Sequence, residues 1–178
     1  MTFTVKTGFV AGMLAVMTTG AFAQESTNRV AVETDWNVFA DPPAAPTECW
    51  GVAVPSETVN TDSNGRIKAV RRGDILLFIS YRPNSGVKGE VSFTGGYPFA
   101  PDSSVSLQIG DSKFDMFTDG EYAWAASATD DAKIIAAMKR GKDAVLTGRS
   151  ARGTITKDKF SLLGFTAASE QAAKFCNG

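Results

Sequence analysis

Phe160-Ser161-Leu162-Leu163-Gly164-Phe165-Thr166-Ala167-Ala168, running on to Phe175-Cys176, is the stretch whose pattern decides how the chain is read. Apolar alternation breaks at Gly164 and the period lengthens, so the spacing predicts a strand that hands over to a short C-terminal helix. Ala168, Ala172 and Phe175 fall on one helical stripe. Such a stripe lets the helix pack down and carry Cys176 to the edge of a core.

The other end of the chain has a different character. Lys6 precedes an apolar run from Phe9 to Met17, and Ala21-Phe22-Ala23 fits a small-x-small cleavage site, so residues 1–23 read as an export signal. Residues 24–178 are then expected to form a single mature domain, periplasmic or secreted. No cysteine stands at the cleavage point to take a lipid, and no later apolar stretch approaches the roughly 20 residues of a membrane helix. The mature length suffices for one domain with a core of its own. Cysteine occurs only as Cys49 and Cys176, and in an oxidising compartment two such thiols are expected to form one disulfide.

Composition narrows the function classes. The chain carries 18 basic and 19 acidic residues, and without Lys6 the mature charge is about −2, which favours no nucleic-acid partner. Histidine is absent. That removes the commonest general base, the usual partner of a nucleophilic serine or cysteine, and the commonest metal ligand. The expectation is a protein with no cofactor, no metal and no catalytic site.

Between the two ends the residues read mainly as strands. Gln24 to Val32 lacks pattern and is expected to be a loose leader, after which Thr34 to Phe39 places Trp36 and Val38 at strand spacing. Asp41-Pro42-Pro43-Ala44-Ala45-Pro46 must leave the sheet, since proline donates no ladder bond. Glu48 to Val54 resumes as strand, with Trp50 expected in the core. Ile75 to Ile79 is apolar on both faces, which predicts a central strand covered from both sides. Glu90 to Thr94 follows. Val105, Leu107 and Ile109, the Gly110-Asp111 turn, and Phe114 and Met116 make a hairpin, extended by Asp119-Gly120 into a meander ending at Tyr122 to Ala126. Asp130 to Arg140 is a helix, with acids in its first turn, bases in its last and Gly141 beyond. Ala144 to Arg149 and Gly153 to Thr156 read as two strands before the Phe160 strand. The sum is an all-β antiparallel sandwich with one mid-chain helix and a short C-terminal helix.

Individual motifs carry plainer readings than their most suggestive ones. Arg72-Gly73-Asp74 spells an adhesion tripeptide but reads better as the lead-in turn to the most apolar strand. Arg66, Lys68, Arg71 and Arg72 form a basic cluster that could meet anionic lipid or glycan, though a solvated face is the simpler meaning. Asp115, Asp119 and Glu121 alternate with apolar residues around a hairpin, where outward carboxylates keep a sheet soluble. Asp62-Ser63-Asn64-Gly65 is a turn, lacking the closing glutamate of a calcium loop. Gly95-Gly96-Tyr97-Pro98-Phe99-Ala100-Pro101 holds two rings, Tyr97 and Phe99, at a stiff corner. These rings either make a contact surface or tuck under the loop and cap the sandwich.

At Asp35-Trp36-Asn37-Val38, Glu48-Cys49-Trp50-Gly51-Val52 and the closing Phe160 to Ala168 block the chain resembles the invasion-associated locus B protein family. The likeness spans nearly the whole mature domain, and the closing block is its most specific part. It implies a small exported envelope or periplasmic protein acting by protein or ligand contact, tied in some pathogens to host-cell invasion, with an envelope or host protein as partner. Many members resemble one another in a further cysteine after the first tryptophan strand, where Val38-Phe39-Ala40-Asp41 has none. Cys49 is therefore left with Cys176 or with nothing. Two other readings stand beside this one: an envelope hydrolase using carboxylates or a serine-lysine pair, and a small glycan-binding module with aromatic platforms.

Overall fold

The structure, a computed structural model, describes residues 28–177; the expected signal, residues 1–23, lies outside them. Eleven strands and two helices run in the order β1 (Arg29–Glu33), β2 (Trp36–Asp41), β3 (Glu48–Ala53), β4 (Glu57–Thr61), β5 (Leu76–Arg82), β6 (Val87–Thr94), β7 (Ser104–Ile109), β8 (Ser112–Asp119), β9 (Tyr122–Trp124), α1 (Ala128–Arg140), β10 (Asp143–Arg149), β11 (Ile155–Ser161) and α2 (Phe165–Asn177). All pairings between strands are antiparallel in one sheet, ordered β1-β2-β3-β5-β6-β9-β8-β7-β10-β11-β4.

The sheet folds back over its own inner face, which is what makes it a sandwich. Phe93 of β6 meets Phe160 of β11 edge to face at 6.0 Å, and Trp36 of β2 donates its indole N–H to the Ser161 carbonyl at 3.1 Å. Trp36, Phe93, Phe160 and Leu146 are wholly buried there. The predicted hairpin has the expected register, with Ile109 opposite Ser112 across the Gly110-Asp111 turn and Val105 and Met116 inward.

Helix α2 packs on the inner face of β2 and β3, and small residues there make room for it. A side chain at Gly51 would meet Ile79, Ala168 and Trp36. Phe165, Ala168, Ser169, Ala172 and Cys176 form its buried stripe, so Phe175, expected on that stripe, instead lies at its margin and is 37% exposed. Cys176 bonds Cys49 with Cα atoms 5.8 Å apart. Helix α1 begins at Ala128, two residues before the expected Asp130, because Ser127 caps it: the serine Oγ accepts from the Asp130 N–H at 3.2 Å. Beside the bulge in the β5–β6 ladder, Asp131 accepts the Val91 N–H at 2.8 Å, pinning α1 to β6. Burial pushes that carboxyl up.

The structure departs from the expected elements at several points. Arg29–Glu33 is a paired edge strand, not a leader, because the backbone of β2 offers it a ladder that apolar pattern alone does not reveal. Glu57–Thr61, unmarked by pattern, pairs along β11. Residues 155–161 form one strand, so Thr156 and Phe160 belong together. Finally, β5 lies inside the sheet but is covered on one face only: Leu77, Ile79 and Tyr81 are buried, whereas Phe78 is half-buried on the outer face. Trp50 faces outward as well. Cys49 must point in to reach α2, and strand alternation turns its neighbour out.

Candidate functional site

The basic cluster and the Tyr97 corner, far apart in sequence, meet in one cleft. Arg72 lies at its base. The guanidinium grips Asp158 with two bonds of 2.7 and 2.6 Å, donates through Nε to the Gly95 carbonyl at 2.8 Å and stands 5.0 Å above the Tyr97 ring. Asp158 is wholly buried. Burial pushes its carboxyl above the ordinary range, and the two guanidinium bonds oppose that rise. The Tyr97 hydroxyl is 2.5 Å from Thr156 Oγ1, and burial pushes the phenol up.

Backbone bonds hold the walls of the cleft together. Gly73 N–H reaches the Gly96 carbonyl, Ala151 N–H the Pro98 carbonyl and Phe99 N–H the Gly120 carbonyl, each at 2.9 Å. Gly96 is needed at this crossing, since its φ is +70° and a Cβ would lie 2.6 Å from the Gly73 carbonyl oxygen. The resulting half-open cleft has a volume of about 550 Å³, with Lys68, Arg71, Arg72 and Arg152 around Tyr97 and Glu121 as the carboxylate on its lining.

A second open surface covers the outer face of the sheet. Phe39 of β2 stacks on Trp50 of β3 at 5.4 Å, and Trp124 of β9 stacks against Phe117 and Tyr122 at 5.6 Å each. Phe78 stands between the two groups. Its cross-strand partner Ser92 is paired in turn with Trp124. Ser80 and Ser92 line a trough of about 250 Å³ between the rings together with Glu48, which Arg82 bonds at 3.0 Å while also bonding Glu90 at 2.6 Å. Phe117 and Tyr122 are 49% and 45% exposed.

The corner loop divides its two rings. Phe99 is buried against Phe93 at 6.2 Å and Tyr97, so its ring has no surface to offer. Tyr97 is half-buried and lines the cleft. The adhesion reading of Arg72-Gly73-Asp74 fails because the Arg72 side chain is held inside the protein by Asp158. Asp115 and Asp119 are exposed on β8, and Glu121, also exposed, lies apart on the cleft. Lys68 donates to Thr154 Oγ1 at 3.3 Å. Sequence reading missed the aromatic face because its members come from five strands whose lateral order no local pattern encodes; outward aromatics at Phe39, Trp50 and Phe117 were the available signal.

Taken together, these elements define a class first: a disulfide-closed, all-β domain whose open surfaces are a loop-built basic cleft and an aromatic sheet face. The chain belongs to the invasion associated locus B (IalB) protein family, whose model matches residues 36–173. The crystal structure of invasion associated protein B from Bartonella henselae is similar in fold, with a TM-score of 0.53 and 14% identity over 83% of this chain and 98% of that one. A comparison with curated proteins found no match. Among the described residues no helix is long and apolar enough to cross a membrane, and no group of three or more candidate side chains could hold a metal ion.

Proposed function

We propose that this chain is an exported envelope protein that works by contact with a partner protein and not by catalysis. The outer aromatic face carries that reading. Six rings from β2, β3, β5, β8 and β9 stand on one side of the sheet, with α2 packed on the opposite face and the first turn of α1 beside Phe117 and Trp124, and rigid aromatic side chains are what protein interfaces favour. Export is supported by the leader pattern and by a disulfide that an oxidising compartment maintains. A glycan module is the second reading, favoured by the trough itself, where aromatic walls and the lining Ser80 and Ser92 suit the stacking face and hydroxyls of a sugar ring. The hydrolase reading has less support, since Asp115 and Asp119 lie exposed on β8 and Glu121 stands apart on the cleft.

The test is site-specific photo-crosslinking of the full-length chain in intact cells, with the crosslinker in place of Tyr122 or, as control, of exposed Asp111. A discrete protein adduct from position 122 and none from 111 is expected. Equal adducts from both positions, or none, would remove the aromatic face as the contact surface.

A further inference from the structure

We infer that the cleft over Tyr97 is a binding site for an anionic group, phosphate or carboxylate, carried on a sugar-sized molecule. The inference rests on residues other than those of the aromatic face, so either can fail alone. Four cations and one carboxylate line the cleft, in a chain whose net charge is −1. Arg72 is neutralised by Asp158 beneath it. Lys68, Arg71 and Arg152 make no ion pair with a carboxylate among the described residues, Asp62 acts on Lys68 only at longer range, and all three line the same open space.

Three features make this more than a solvated basic face. First, the half-open cleft offers about 550 Å³, room for a monosaccharide with its charged substituent and within the range of small-molecule sites. Second, the walls are already held in place. Loop bonds tie Gly73 to Gly96 and Ala151 to Pro98, and the Arg72 grip on Asp158 anchors the base, so a ligand meets little ordering cost. Third, the chemistry is divided as a sugar acid or sugar phosphate requires. Tyr97 and Pro98 supply an apolar surface for a ring, while Arg71 and Arg152 supply forked donors for an oxyanion. Glu121 opposes any anion in the same space, which gives the site a second, oppositely signed handle.

Titration calorimetry of the mature protein at low salt tests this, with glucose 6-phosphate and galacturonate as anionic probes, inorganic phosphate as the bare group and glucose as the neutral control. The anionic sugars should bind, phosphate more weakly, and glucose not measurably. Arg71→Ala with Arg152→Ala should weaken the anionic sugars at least tenfold, the loss expected when a single charge-assisted hydrogen bond is removed, with the melting temperature unchanged. Glu121→Gln should tighten them. Vesicles with anionic headgroups identify the source: sedimentation with vesicles that the double variant loses places the group on a lipid, and sugar binding without it places the group on a soluble or polymeric glycan. Equal binding of glucose and glucose 6-phosphate, absence of anion binding up to millimolar concentration, or wild-type affinity in a folded double variant overturns the inference.

Discussion

Asp158 has no water contact, and Arg72 is what makes its burial tolerable. Removing one partner of such a pair strands the other, so Arg72→Met should cost about 3 to 5 kcal/mol in denaturant unfolding near neutral pH. The sign of the pH dependence follows from burial. Without the guanidinium the Asp158 carboxyl is raised further, the folded form binds its proton more tightly than the unfolded chain, and stability falls as pH rises through that raised value. The deficit against wild type should therefore shrink on acidification toward the ordinary carboxylate range near about 4. A deficit that is flat with pH would mean that Asp158 is not the stranded charge. Gly164 makes a different residue-scale case. Its φ is +91° and a Cβ there would overlap the Glu33 carbonyl, whereas Gly65, at +78°, has nothing near it. Gly164→Ala should cost about 2 to 4 kcal/mol and Gly65→Ala about 1, the difference being the overlap. Equal losses would show that conformation alone matters at both.

At the scale of elements, strand β5 separates being central from being covered. Its inner residue Leu77 is wholly buried and its outer residue Phe78 half-buried, so Leu77→Ala should cost about 2 to 5 kcal/mol and Phe78→Ala under about 2. Equilibrium unfolding of the two variants distinguishes them, and a Phe78 loss matching that of Leu77 would mean that something covers the outer face. Helix α2 is the other element whose attachment can be weighed. Cys49 and Cys176 close a separation of 127 residues, which in the chain-entropy model stabilises by about 4 to 5 kcal/mol, a figure real bonds often undershoot. Reduction with dithiothreitol should lower the unfolding midpoint accordingly. An unchanged midpoint would mean that α2 holds by packing alone, through Phe165 on Trp36 at 5.0 Å and the small residues of β3.

On the scale of the whole molecule, the strands and helices with strong local periodicity could be read directly: the β7–β8–β9 meander, α1 and the change of period at Gly164. The disulfide was readable too, since two cysteines leave one pairing within the chain. Strands β1 and β4 were not readable, because an edge strand is set by the ladder its neighbour offers and not by its own apolar pattern. Nor was the outward direction of Trp50 and Phe78, since alternation states that neighbours face opposite ways without saying which way is in. For the functional surfaces the division is sharper. Residue types could be read along the chain: the cluster at Lys68 to Arg72, the rings at Tyr97 and Phe99, the absence of histidine. Folding in three dimensions is what brings Arg152 to that cluster, puts Asp158 beneath Arg72, makes Phe99 core while Tyr97 lines a cleft, and sets rings from five strands on one face. The reason is physical. Periodicity reports on neighbours a few residues apart, whereas lateral strand order and loop convergence are set by packing between segments distant in the chain, and both surfaces are built from that order.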